Sequence, residues 1–207
     1  MAKQTIGIGA TDDDGTGDPL RTAFDKVNDN FTELYGGKQE IFIPAAAMTP
    51  RTTNGAAEGT GETTTNLNMR RTLDFDASTA EYAQFVWRMP KRWNEGTVTF
   101  RPCWSHGATT TNFGVVWALA GVAISNDDAL DVAEGTAQSS ADTGGTTDDF
   151  YEGPESSAIT IAGTPAEGDF VVFEVSRLPA NASDTMAVDA RLHGIVLCIT
   201  TNAPTDD

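Results

Sequence analysis

Cysteine and histidine are scarce in this 207-residue sequence, which contains two of each. Cys103 and Cys198 are far apart and each lies within an apolar stretch, so we expect buried, reduced thiols rather than a disulfide. No C-x-x-C pair occurs, and His106 and His193 stand alone, so the sequence does not supply the ligand set of a zinc site. The sequence therefore predicts a protein without a metal ion or any other cofactor.

Basic residues are also few. Thirteen Lys and Arg residues stand against 30 Asp and Glu residues, and the net charge of −17 argues against nucleic acid or anionic membranes as direct partners. The longest apolar run, at 113–124, is shorter than the roughly 18 residues of a membrane span, and the N-terminus lacks the apolar stretch of a secretory signal. We therefore expect a soluble protein that is made in the cytoplasm.

Motifs that carry catalysis are absent as well. The sequence contains no G-x-S-x-G nucleophile elbow and no phosphate-binding loop with Gly-Lys-Ser or Gly-Lys-Thr. The aspartate-rich stretch 11–18 fails as a calcium loop, because Ala10 and Arg21 would occupy its two end-ligand positions. Paired carboxylates for glycoside hydrolysis cannot be recognised from sequence, since their separation in space decides. We predict that the protein is not an enzyme.

A single helix is predicted near the N-terminus. Residues 1–17 form an extended arm that ends in a hinge rich in Asp and Gly. Asp18 has the side chain of an N-cap, and Pro19 suits the first helical position because its φ is already fixed. The glycine pair at 36–37 ends the helix, so the second segment of the chain is the helix at 18–37.

The helix carries a narrow apolar stripe. Leu20, Phe24, Val27, Phe31 and Leu34 recur at spacings of 4, 3, 4 and 3, which is the a/d pattern of a coiled coil. A helix of this length is marginal alone in water, so it either packs on its own β domain or associates with copies of itself. We favour self-association, and the two phenylalanines favour a homotrimer.

From residue 38 onward the pattern changes to short apolar runs separated by turn residues, which predicts a mainly β domain, a jelly-roll-like β-sandwich at 38–207. The long segments 49–71 and 135–157 are predicted to be loops that form exposed or interface-forming tips. Trp93, in the turn-like KRWNEG, is the tryptophan most expected to contact a ligand. The predicted strands are 40–43, 72–76, 82–89, 97–104, 114–125, 130–133, 158–162, 170–177 and 191–200.

The stretch GTGDPLRTAFDKVNDNFTELY, residues 15–35, resembles a segment near the N-terminus of many tailed-bacteriophage virion proteins. In those proteins it is similar to an attachment module that precedes varied C-terminal domains. IFIPAAAMTPRTTNGAA, LDFDASTAEYAQFVWRMPKRWNEGTVTF, ESSAITIAGTPAEGD and DTMAVDARLHGI resemble a family of phage structural proteins. The resemblance implies a virion protein and supplies no catalytic residues.

Together these observations predict a structural component of a phage virion. The arm and helix attach to other virion proteins of the capsid or tail, and the acidic β domain is displayed as a head fibre or capsid decoration. The head is preferred because a chain this short has little reach for a tail fibre. The alternative is a tail-fibre module that binds a host-surface glycan, and a polysaccharide depolymerase is the least favoured hypothesis.

Overall fold

The computed structural model describes residues 4–11, 14–107 and 113–206. Within these residues, the helix α1 (Leu20–Tyr35) precedes eleven strands, and no helix is long and apolar enough to cross a bilayer. Residues 1–3 and 12–13 of the predicted arm and hinge lie outside the described ranges. The strands are β1 (Gly37–Pro44), β2 (Thr49–Pro50), β3 (Ala57–Glu62), β4 (Met69–Phe75), β5 (Tyr82–Arg88), β6 (Thr99–His106), β7 (Phe113–Ile124), β8 (Gln138–Gly144), β9 (Tyr151–Glu152), β10 (Phe170–Arg177) and β11 (Ala190–Thr201).

The strands form two antiparallel sheets. The first sheet has the order β3-β4-β11-β6-β9, and β1 pairs with the C-terminal part of β11, next to the site where β4 pairs with its N-terminal part. The second sheet has the order β2-β5-β10-β7-β8. One hydrophobic core contains residues from both sheets, and the rings of Phe75 and Trp117 meet edge to face across it with centroids 5.1 Å apart. The predicted β-sandwich with one N-terminal helix is confirmed.

Strand β10 shows how the sequence divides between the two faces. Val171, Phe173 and Val175 point into the core, and each is fully buried. Val172 and Glu174 alternate with them and point to the outer face of the second sheet. The predicted strand at 170–177 is therefore confirmed, and both of its ends agree with the observed strand. The alternation of its residues is typical of a strand that has only one buried face.

Strand β7 is buried on both faces. It pairs with β10 on one side and β8 on the other, and its outward residues Ala118, Ala120 and Val122 are as inaccessible as its inward ones. Residues 125–137, named here the strap, connect β7 to β8 and are fixed by a hydrogen bond from Gly135 N to Gly121 O of 3.1 Å. Strap residues 130–132 and 134 lie beside Val122 and Ile124, so the chain itself helps to bury this end of the apolar run.

Four sequence predictions about strands and loops are wrong. The predicted strand 158–162 forms only isolated bridges, at Ile159 and Ala162. The predicted strand 130–133 belongs to the strap, where Leu130 is 81% exposed and joins no ladder. The predicted loop 49–71 contains β3, and the predicted loop 135–157 contains β8. Both are edge strands that contain glycine and acidic residues, which are depleted in strands, and both lack large apolar residues, so they become ordered by pairing with a neighbouring strand.

A buried ion pair fixes the loop between β10 and β11. Arg177 is fully buried, and its Nε and Nη2 donate to the two carboxylate oxygens of Asp184 at 3.0 and 2.8 Å. Arg177 Nη1 also donates to Val188 O at 2.8 Å. These bonds satisfy a charge that would otherwise be costly to bury, so the loop conformation depends on the pair.

Candidate association surface and ligand groove

The predicted apolar stripe lies on the surface of α1. The exposed fractions are 74% for Leu20, 59% for Phe24, 50% for Phe31 and 61% for Leu34, and Val27 is half-buried. No residue of the helix is buried. The five residues share one face of the helix, and the described part of the chain leaves that face open to a partner.

The N-terminal arm binds a different side of the helix. Gln4 N donates to Asn30 Oδ1 at 2.7 Å, Gln4 Nε2 donates to Asp29 Oδ2 at 2.6 Å, and Lys26 Nζ donates to Thr5 O at 3.1 Å. At about 100° per residue, Asp29 lies on the opposite side of the helix from Leu20. The arm is thus held by polar contacts that leave the apolar stripe uncovered.

The predicted helix cap is wrong. Pro19 is the N-cap itself, the helix begins at Leu20, and no side chain of the described residues caps it with a hydrogen bond. The Asp18 carboxylate instead accepts from Gly7 N at 2.7 Å and from Lys26 Nζ at 2.7 Å. These two bonds lower the pKa of Asp18. The arm supplies the Gly7 N–H donor and the helix supplies the Lys26 ammonium group. Asp18 binds both, so it joins the arm to the helix instead of capping the helix.

The positions that border the stripe carry no acid. In the heptad that places Phe24 and Phe31 at a, the flanking e and g positions are Arg21, Ala23, Asn28, Asn30 and Tyr35. The acidic residues of the helix all fall at the remaining outer positions. Although the chain has a net charge of −17, the positions on both sides of the stripe carry no negative charge.

The prediction that Trp93 contacts a ligand is wrong. Its side chain is 1% exposed within the core, and its backbone forms a bridge to Thr201 at the end of β11. Trp104 and Trp117 are also buried, so Trp87, half-buried near the end of β5, is the tryptophan closest to solvent. Trp93 therefore cannot contact a ligand in this structure. A turn-like sequence did not reveal that the ring folds inward.

A groove lies on the outer face of the second sheet, with a volume of about 360 Å³. Its floor is formed by outward side chains of β5 and β10, among them Gln84, Val172 and Glu174. The strap forms one wall and contributes Glu134, and Arg51, which follows β2, stands on the other side. We call this the outer groove. Its volume is within the range of small-ligand sites.

Polar contacts organise the outer groove. Gln84 Nε2 donates to Glu174 Oε2 at 2.8 Å and lies 3.4 Å from Glu134 Oε1. Arg51 Nη1 lies 3.3 Å from Glu174 Oε1, and its guanidinium stacks over the Tyr82 ring, 4.5 Å from the centroid. Burial raises the pKa of Glu174, and the negative charge of Glu134 adds to this effect. The groove thus holds a desolvated carboxylate with donors and acceptors on both sides.

A second cleft, of about 680 Å³, lies at the end of β5. Trp87, Arg88, Lys91 and Arg92 contribute to its lining, and we call it the cationic cleft. Asp206 occupies part of it, with Oδ2 at 3.5 Å from Arg92 Nη1. Three basic side chains in one cleft are notable in so acidic a chain. Glu167 and Asp206 also line the cleft, so three basic side chains stand against two acidic ones, and the cleft suits an anion better than the outer groove does.

Ser105 and His193 make a contact that the sequence did not reveal. Ser105 Oγ lies 2.9 Å from His193 Nε2, between the neighbouring strands β6 and β11. Burial lowers the pKa of His193, and the charges of Arg70 and Arg191 lower it further. Ser105 is buried, and among the described residues no carboxylate bonds the other ring nitrogen. The pair therefore lacks the orienting group and the access of a nucleophilic site.

The two cysteines are free and buried, as predicted. Burial raises the pKa of the Cys103 thiol to about 11 and also raises the pKa of Cys198. Within residues 4–11, 14–107 and 113–206, no group of three or more His, Cys, Asp or Glu side chains could hold a metal ion.

No family model matches the chain, and no curated protein gives a significant match. Several solved structures share its architecture. The CBM35 module of Cellvibrio japonicus Abf62 covers 77% of this chain and 92% of its own length, with 10% identity and a TM-score of 0.40. A family 11 carbohydrate-binding module from Clostridium thermocellum, in complex with a mixed-linked tetrasaccharide, covers 76% and 94%, with 12% identity and a TM-score of 0.39.

An arabinose-bound GH51 α-L-arabinofuranosidase matches 81% of this chain with 26% of its own, at 13% identity and a TM-score of 0.44. Enzymes and binding modules thus both occur among the similar structures. At these identities and TM-scores the likeness concerns the β architecture alone. What the chain does has to be argued from its own residues.

Proposed function

We propose that this protein is a structural assembly protein that associates through α1 and displays its β domain outward. The observation that carries the proposal is the stripe of Leu20, Phe24, Phe31 and Leu34, each at least half exposed on a helix that buries nothing. Apolar surface arranged at heptad spacing is stabilised when it packs against a matching helix.

The partner that fits the stripe best is a second copy of the same helix. Elsewhere the copies repel one another, because each carries a net charge of −17. Along the stripe the flanking side chains are neutral or, at Arg21, basic, so helices can approach without like-charge contact between acids. Phenylalanine at both a positions supports a three-stranded bundle, since large rings need a wider core.

The proposed setting is a tailed-phage particle, with capsid or tail proteins as the further partners. Support for it comes from the resemblance of residues 15–35 to a virion attachment segment. Immunogold labelling of intact particles with an antibody against the β domain tests this setting, and we expect label on the head. Particles without label on head or tail contradict the virion proposal, whereas label on tails alone favours a tail fibre.

A second candidate function, recognition of a host-surface glycan by the β domain, is favoured by the outer groove. The groove combines amide, carboxylate and guanidinium groups with apolar neighbours, the mixture that a sugar ring requires. Saturable binding of the full-length protein to a glycan array is the expected result. Absence of binding to every glycan on the array contradicts this second function and leaves the assembly proposal intact.

A further inference from the structure

We infer that the outer groove, rather than the cationic cleft, is the ligand site of the β domain, and that it takes a neutral oligosaccharide. This inference rests on the second function proposed above and adds its location and its ligand class. Three features of the groove support it: the pattern of side chains on its floor, its charge and the hydrogen-bonding capacity of Glu174.

The floor of the groove alternates in polarity along the strands. Gln84 of β5 stands directly opposite Glu174 of β10, and the next outward pair is Val86 opposite Val172. Consecutive outward pairs are about 7 Å apart, because each strand residue advances about 3.4 Å. A pyranose ring presents hydroxyl groups at its edge and C–H groups on its faces. The polar pair is placed to bind the hydroxyl groups and the valine pair to contact a ring face.

The apolar part of the floor is open to solvent. Val86 is 50% exposed, although it lies in the middle of a strand of the second sheet. Leu130 of the strap is 81% exposed, and Phe170 at the start of β10 is 46% exposed. These side chains extend the surface beyond the polar pair along one direction of the sheet. The ligand surface therefore continues past one sugar ring, which favours an oligosaccharide over a monosaccharide.

The charge of the groove selects against acidic sugars. Asp131, Glu134 and Glu174 contribute three carboxylates to its lining, against the single guanidinium of Arg51. Arg51 is already engaged with Glu174, so no free cation faces the centre of the groove among the described residues. A uronate, sialate or phosphate would meet net negative charge there. Neutral hydroxyl groups, in contrast, donate readily to carboxylates.

Glu174 has the capacity to bind such hydroxyl groups. An ionised carboxylate offers about four acceptor positions. Here Oε2 accepts from Gln84, and Arg51 Nη1 lies 3.3 Å from Oε1 and 3.4 Å from Oε2. The Glu174 side chain is 11% exposed, so part of its acceptor capacity remains for a ligand, and bonds to a charged acceptor are stronger than neutral ones. Glu174 and Gln84 are therefore the two side chains on which ligand affinity should depend most.

The test measures binding by the full-length protein with two sets of probes. The neutral set contains tetrasaccharides of glucose, galactose, mannose and xylose, and the acidic set contains oligogalacturonate, sialyllactose and a phosphorylated mannan. Calorimetry is carried out on the native chain and on Gln84→Ala, Glu174→Gln, Glu152→Gln and Lys91→Gln. Glu152→Gln is the matched control, since it removes a carboxylate from the outer face of the other sheet, where it pairs with Arg101. Thermal unfolding checks that each variant is folded.

We expect at least one neutral probe to bind, with affinity falling about tenfold or more in Gln84→Ala and Glu174→Gln, as loss of a hydrogen bond involving a charged group predicts. Glu152→Gln and Lys91→Gln should stay within about twofold of the native affinity. Binding of acidic probes alone, lost in Lys91→Gln, overturns the location and ligand class but keeps glycan recognition. Failure of every probe overturns both the inference and the second function.

Discussion

Replacing the two stripe phenylalanines by aspartate, Phe24→Asp with Phe31→Asp, should convert an oligomer of this protein into a monomer. A phenylalanine side chain presents about 200 Å², and these two are 59% and 50% exposed in the single chain. Association therefore removes about 200 Å² of aromatic surface from water per chain. At about 25 cal/mol per Å² this contributes about 5 kcal/mol per chain, as an upper value.

A loss of about 5 kcal/mol per chain corresponds to three or four orders of magnitude for each chain, and to about eleven orders of magnitude in the association constant of a trimer. The introduced carboxylates add a further cost, because the bundle would bury unpaired charges. Size-exclusion chromatography with light scattering, at about 10 µM protein, should show the native oligomer and a monomeric variant. The midpoint of β-domain unfolding should stay unchanged, since no helix residue is buried.

The matched control is Thr22→Asp with Thr32→Asp, which adds the same charge to exposed positions of the same helix away from the stripe. We expect this control to remain oligomeric. An unchanged mass in the phenylalanine variant refutes the association surface. Equal dissociation of both variants shows that added negative charge, rather than the stripe, controls assembly.

Three further predictions concern the β domain. Asp184→Asn, measured by urea unfolding, should lower the free energy of unfolding by about 3 kcal/mol, because it leaves the Arg177 charge buried without its partner. The raised pKa of Glu174 means that its protonated form favours folding, an advantage present at low pH and lost as pH rises through the folded-state pKa. Glu174→Gln should therefore be the more stable protein at pH 7, and the difference should shrink toward pH 4; a constant difference contradicts this reasoning. Cys103 and Cys198 should react with a thiol reagent at pH 8 only after denaturation, as their burial and the Cys103 pKa of about 11 require.

The helix stripe was readable from sequence because heptad spacing is local: each of its five residues is fixed by its distance from the next. Its exposure was the part that needed the structure, since the sequence allowed packing on the β domain as well. The helix start shows the limit of local rules. Asp18 and Pro19 have the right chemistry for a cap, but the competing donors come from Gly7 and Lys26, which a capping rule does not consider.

The outer groove could not be read from spacing at all. Gln84, Glu134 and Glu174 belong to three segments separated by 40 or more residues, and only the sheet order brings them together. One local signal was available, because Glu174 places a charge within the apolar run FVVFEVSR. Burying an unpaired charge costs free energy, so a glutamate at this position indicates a nearby polar partner. For Trp93 the local sequence was misleading, because its turn-like surroundings predicted an exposed ring and the ring is buried. The exposure of a turn residue depends on which distant segments of the chain pack over it.

The connection between α1 and the β domain also determines how the protein responds to mechanical load. One residue, Gly36, separates the helix from β1, and β1 pairs with β11 through eight consecutive residues, from Gly37 opposite Thr201 to Pro44 opposite Gly194. A particle that holds the helix while the β domain is pulled along the strand direction loads all eight pairs together in shear. A pull across the sheet instead peels them one at a time, beginning at Gly37. The force that the pairing of β1 with β11 withstands therefore depends on the direction of pulling as well as on the number of hydrogen bonds.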